Sequence, residues 1–157
     1  MPTNLLRRNT RKPAAAPRAA PPAFDRLALI RAGNVRIRIR LLNTPTADRI
    51  WRALPIFSTA ELWGQGEVFF KTPLESGRER GAKVLVQPGE IAFSPDRDVI
   101  AIAFARTPTS RPGELRLWSP SNIWACALDD VRALQAVRPG EKIEVRALKA
   151  DNAAPAP

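Results

Sequence analysis

Residues 34–42 read Asn-Val-Arg-Ile-Arg-Ile-Arg-Leu-Leu. Val35, Ile37, Ile39 and Leu41 fall on one side of an extended chain, and Arg36, Arg38 and Arg40 on the other. A period of two sustained over this length specifies a half-buried β-strand and excludes a helix, whose apolar positions recur every three or four residues. A strand cannot stand alone. Its neighbours are predicted in further short segments rich in β-branched and aromatic residues: Leu27–Ile30, with an Ala-Gly-Asn turn signal between it and this strand, then 56–63, 67–72, 82–86, 90–94, 99–106, 122–128 and 138–148. Gly- and Pro-containing turns separate them, as in "GQG", "ESGRERG", "QPGE" and "SPDRD". The segment 99–106 is apolar at every position up to Ala105, as in a strand covered on both faces.

Two segments break this rhythm. At 43–55, Thr44 is placed to cap a short helix, Pro45 fits its first position, Ile50, Trp51 and Leu54 share a face, and Pro55 ends it. Trp51 is expected to anchor that helix on the sheet. At 129–137 a second short helix is predicted, with acids at its N-terminal end. The pattern is mainly β: about eight strands and two short helices. Closure into a barrel is expected, because it hides the edges that many short strands expose.

The charge is uneven. The chain of 157 residues carries a net charge of +10. Residues 1–26 hold six basic side chains (Arg7, Arg8, Arg11, Lys12, Arg18 and Arg26) against Asp25 alone. Residues 1–24 are also proline-rich and are expected to form a disordered basic arm. The domain is expected over 25–148, and 149–157 as a frayed tail. The arm has no aromatics interleaved with its cations, so nucleic acid is not expected as a partner, and the arginines of 36–40 read as the wet face of a sheet. No apolar run is long enough to cross a membrane and no secretory signal is recognisable, so cytoplasmic residence is expected. The sequence leaves the oligomeric state open.

There is no histidine and no tyrosine, and Cys126 is the only cysteine. A Ser-His-Asp triad, a Cys-His pair, a histidine metal site and an intrachain disulfide are therefore excluded, and no metal or other cofactor is expected. Cys126 lies among apolar residues and reads as a small hydrophobe. The Gly-Gln-Gly of 64–66 lacks the third glycine and following helix of a dinucleotide fingerprint. Glu61 and Glu67 flank that turn, but their spacing fixes no paired-carboxylate geometry. Of the four tryptophans, Trp51 and Trp124 read as core. Trp63, beside the glycine turn, and Trp118, after a polar loop, are candidates for a groove.

Three stretches resemble a family of small prokaryotic proteins with a cyclophilin-like fold, mostly of unknown function. In the first, Trp63, Gly64, Phe70, Thr72 and Pro73 fit the family pattern. In the second, Gly89, Glu90, Phe93, Arg106, Thr107 and Pro108 fit. In the third, Ser121, Asn122, Gly140, Glu141 and Lys142 fit. The first turn is one residue longer than the usual spacing. The resemblance covers about 34–148 and implies a cyclophilin-like barrel. It further implies a groove that binds a small molecule or a peptide segment. Its lining is expected to include Trp63, Gln65, Glu67, Phe70, Phe93, Phe104, Arg106 and Trp118, with Arg106 as the cation for an anionic ligand. An enzymatic alternative, weak prolyl isomerisation or another activity on the same groove, stays open. Efficient isomerisation is not expected. Gln65 matches the glutamine of the isomerase turn, but Phe57 stands where the isomerases have their arginine and there is no histidine.

Overall fold

The computed structural model describes residues 25–149. The predicted arm and most of the predicted tail lie outside the described residues. The order of elements is β1 (Leu27–Ala32), β2 (Val35–Leu41), α1 (Pro45–Ala53), β3 (Ile56–Thr59), β4 (Glu61–Trp63), β5 (Glu67–Lys71), β6 (Lys83–Leu85), β7 (Glu90–Ser94), β8 (Val99–Ala103), β9 (Arg116–Ala127), a 3-10 helix (Val131–Ala136) and β10 (Lys142–Leu148).

The strands form one antiparallel sheet in the order β3-β10-β1-β2-β9-β7-β8-β5-β4, with β6 pairing the outer part of β9. The expected closed barrel is not formed by hydrogen bonds. The sheet begins at β3 and ends at β4, and these are successive pieces of one chain that bends at Ala60. Ala60 still donates to Glu141 O at 2.8 Å before the chain leaves β10 for β5. The predicted single strand 56–63 is thus two strands on opposite edges of the sheet, each already paired on its other side.

The alternation of 35–41 is realised as read: Ile37 and Ile39 are fully buried and Arg36 and Arg40 are exposed. The inward residues of β1, β2, β5, β7, β8 and β10 build the main core around Ile30, Ile37, Phe70, Phe93, Ile100 and Trp124. The two-faced character of β8 has a direct cause. Ile100 and Ile102 enter the main core, while Val99, Ala101 and Ala103 pack outward under Val86 and Leu117 in a second cluster.

Helix α1 is capped as predicted: the Thr44 hydroxyl accepts from Ala47 N at 3.1 Å. Thr46, Ala47 and Ile50 are its fully buried residues, and Trp51 packs half-buried against the core. The second predicted helix is a 3-10 helix capped by Asp130, because only Val131 and Leu134, three residues apart, are buried. The larger departure is β9. The polar stretch before Asn122 conceals a strand that starts at Arg116, so Trp118 belongs to a strand and not to a loop end. Pro120 sits where β9 passes from pairing β6 to pairing β7, the sort of irregularity that tolerates a proline inside a sheet.

Asn122 is 1% exposed and ties distant segments together. Its amide donates to Thr46 Oγ1 and to Gly77 O, both at 2.9 Å, and its carbonyl accepts from Glu79 N at 2.8 Å. The Glu79 carboxylate in turn accepts from Thr46 N at 2.8 Å. This holds the 72–82 loop against the start of α1 with its polar groups satisfied, a structural role.

Candidate functional site

The β4–β5 hairpin is the centre of the site. Its three-residue turn is held by two glycines. Gly64 has φ +64°, and a Cβ there would lie 2.8 Å from the Pro108 ring. At Gly66 a Cβ would fall 2.2 Å from Arg106 O and 2.3 Å from Ala105 O, so no other residue fits. Phe104 N and Ala105 N both donate to Gly66 O, at 2.8 and 3.1 Å. The 104–108 segment therefore clamps the turn, and this accounts for the Gly-Gln-Gly spacing.

Trp63 and Glu67 are cross-strand partners at the mouth of that turn and share one face of the hairpin. On the same face lie Glu61 and Phe69, which also pair. Trp63 meets the ring of Trp118 edge-on, with centroids 5.3 Å apart and planes at 67°. Arg97, from the β7–β8 turn, places its guanidinium 5.0 Å from the centre of the Phe69 ring and 5.4 Å from that of Trp118. Both contacts lie within the range of cation–π attraction. Asp98, next to it, has φ 57°, which makes that turn tight.

Glu67 is 4% exposed, and its Oε1 has no hydrogen-bond partner. Burial pushes its carboxyl up to about 7, against the opposing pull of the Arg97 charge. Among the described residues the other such orphan is Trp124 Nε1, inside the main core. Glu67 borders two spaces. One is a narrow void of about 10 Å³ lined with Phe69, Ser94, Arg97, Leu117 and Trp118, no larger than a single water. The other is a cavity of about 370 Å³ with Gln65, Leu62, Phe104, Leu134 and Gln135. Phe104 and Gln135 also line an adjoining hollow beside Arg132, and Phe104 reaches a third of about 710 Å³ near Val86 and Leu115. These spaces follow the 3-10 helix and share walls.

The eight predicted lining residues separate accordingly. Trp63, Glu67 and Trp118 are brought together. Gln65 and Phe104 line the cavity next to Glu67. Phe70 and Phe93 do not reach a groove: both are fully buried in the main core, because their positions in β5 and β7 point inward. Arg106 is also misplaced by the prediction. It is exposed, and its Nε makes only a long 3.4 Å contact to Ser110 O. The cation at the site is Arg97, which the sequence reading missed, along with Phe69. A residue in a polar turn carries no signal of what it folds over. The nearby Glu114 pairs with Arg116, at 3.1 Å.

Cys126 is exposed rather than buried. Among the described residues no group of three metal-ligating side chains converges, and no helix is long and apolar enough to cross a membrane.

The solution structure of a hypothetical protein from Archaeoglobus fulgidus is similar to this chain. It has 28% sequence identity and a TM-score of 0.67, over 78% of this chain and 94% of that one. No curated protein matches the chain. The family model described as Cyclophilin-like matches residues 26–146. With that span covering the sheet up to the last two residues of β10, and with it the clamped β4–β5 turn, the chain belongs to the Cyclophilin-like family.

Proposed function

We propose that this protein binds a small molecule or a peptide segment at the β4–β5 turn. In this reading Glu67 accepts a hydrogen bond from the ligand while Trp63 and Trp118 cover its apolar part. The observation that carries the reading is the orphaned oxygen of Glu67, a residue that lines both the narrow void and the larger cavity. A buried carboxyl without a partner is costly to keep, and such groups concentrate at working sites. A ligand with an N–H or O–H donor beside a flat apolar body supplies what the site lacks.

The test uses the indole N–H signals of Trp63 and Trp118 in a nitrogen-15 spectrum, titrated with mixtures of small amines, amides and alcohols. The reading expects both signals to move together with at least one mixture. It also expects Glu67→Leu, which removes the acceptor, to abolish the response. Movement that persists in Glu67→Leu counts against it.

A second reading, proton-transfer catalysis, is favoured by one observation. A carboxyl that titrates near 7 is matched to general acid or base work at neutral pH. Prolyl isomerisation of the cyclophilin type finds less support. Phe57, which stands at the isomerase arginine position, is 69% exposed on β3, at the opposite edge of the sheet from β4.

A further inference from the structure

The outward face of β3, β10, β1 and β2 is distinct from the Glu67 site. Residues directly opposite one another in an antiparallel sheet share a face, so the register defines its rows. One row runs Phe57, Glu144, Arg31, Arg36. The next runs Arg146, Leu29, Arg38, and a third ends at Leu27 and Arg40. Lys142 extends the face beside Thr59. Six cations from three strands thus lie on one surface.

Their partners are few. Arg38 is held by Asp129, and Arg40 lies 3.7 Å from Asp25. Among the described residues Arg31, Arg36, Lys142 and Arg146 make no ion pair, and all four are exposed. Arg31 and Arg36 are direct cross-strand partners. Like charges placed so are destabilising; Glu144, opposite Arg31 on its other side, offsets one of the two cations, so fold stability gives no reason for Arg36. A bound anion gives one.

We propose that this face binds the phosphate backbone of single-stranded nucleic acid, with Phe57 stacking on a base. Five of the six cations are arginines, whose planar fork matches phosphate. Arg36, Arg38 and Arg40 recur every second residue along β2, about 7 Å apart. That is close to the spacing of successive phosphates in an extended strand. Phe57 is 69% exposed on β3, three strand spacings (about 14 Å) from Arg36 along the row that holds Glu144 and Arg31, so a base reaches its ring where the backbone turns off β2 and crosses β1 and β10. A lipid surface fits less well, since among the described residues Phe57 is the only large exposed apolar side chain on the face and insertion needs several.

The experiment is fluorescence anisotropy of a labelled oligouridylate and an oligothymidylate with the full chain. Four phosphate contacts predict a fall in affinity of about 50-fold between about 50 and about 200 mM salt. Arg31→Ala combined with Arg36→Ala is expected to weaken binding at least about tenfold and to halve the salt slope. Phe57→Ala is expected to weaken it about fivefold or more with the slope unchanged, since stacking releases no counterion. Arg78→Ala combined with Arg80→Ala removes the same charge from the 72–82 loop and is expected to change affinity little. Circular dichroism checks that each variant is folded. Failure of both oligonucleotides to saturate at low salt overturns the proposal. So does equal weakening by the two double variants, or binding confined to phosphatidylserine vesicles.

Discussion

On the β5–β8 side of the sheet, the outward residues Phe69, Val99 and Ala101 are covered by Val86 and Leu117, and Glu67 is covered with them. On the β1–β2 side, the outward residues Arg31, Arg36 and Arg40 lie open. Both are outer faces of one sheet, yet their polar groups have opposite surroundings. Under cover, one carboxyl is cut off from water and shifts toward its neutral form. In the open, cations keep their hydration even when set against one another. Cover, not strand position, decides which polar residue becomes chemically unusual.

The contrast is tested most strongly at its two phenylalanines. Phe69→Ala is expected to cost about 3–4 kcal/mol in urea unfolding, as truncation of a buried aromatic does. Phe57→Ala is expected to change stability by less than about 0.5 kcal/mol, because the ring is already in water. Equal costs would mean that the β3 edge is covered too.

Glu67 sharpens the comparison through pH. Its folded value is raised from 4.5 to about 7, so the native state holds a proton that the unfolded chain releases. The burden of burying the carboxylate is absent below about 4.5, grows as pH rises, and is complete above about 7. Glu67→Gln should therefore gain about 2–3 kcal/mol over the parent protein between about pH 4 and about pH 8, in unfolding curves at both values. A pH-independent difference would show that the carboxyl is solvated.

A smaller effect separates two arginines of one strand. Arg38 donates to Asp129 through its backbone N at 2.8 Å, Nε at 3.1 Å and Nη2 at 2.8 Å, and these bonds hold the Asp129 carboxyl below its usual range. Arg38→Ala is expected to lower the Tm by a few degrees. That difference should be present above the ordinary aspartate range and fade as acid protonates Asp129. Arg36→Ala, which removes a like charge opposite Arg31, is expected to leave the Tm unchanged or raise it slightly. Smallest of all is Arg106→Ala: with only the 3.4 Å contact to Ser110 O, its removal should alter neither stability nor ligand response.

What the sequence disclosed follows from range. Thr44 and Pro45 announce α1 because a cap acts within three residues. Val35–Leu41 announces β2 because alternation is local, and the unbroken apolar run of β8 correctly implied cover on both faces. The two glycines of Trp63-Gly64-Gln65-Gly66-Glu67 announced a turn between two strands, and the β4–β5 hairpin turns there. The rest depended on pairing. Phe70 and Phe69 are adjacent, and only the register of β5 against β8 decides which faces the core. Trp118 was hidden as a strand residue by the polar, proline-containing sequence around it. Arg97 reaches Phe69 and Trp118 across segments far apart in the chain. The row linking Phe57 to Arg36 exists only once β3, β10, β1 and β2 are set side by side.

The claim on which the site rests is that Glu67 is buried, unpartnered and half-protonated near neutrality. A carbon-13 titration of its side-chain carboxyl tests this directly, with Glu67→Gln identifying the signal. The structure predicts a midpoint near 7. A midpoint in the ordinary glutamate range, about 4 to 5, would show a solvated carboxylate and contradict the account.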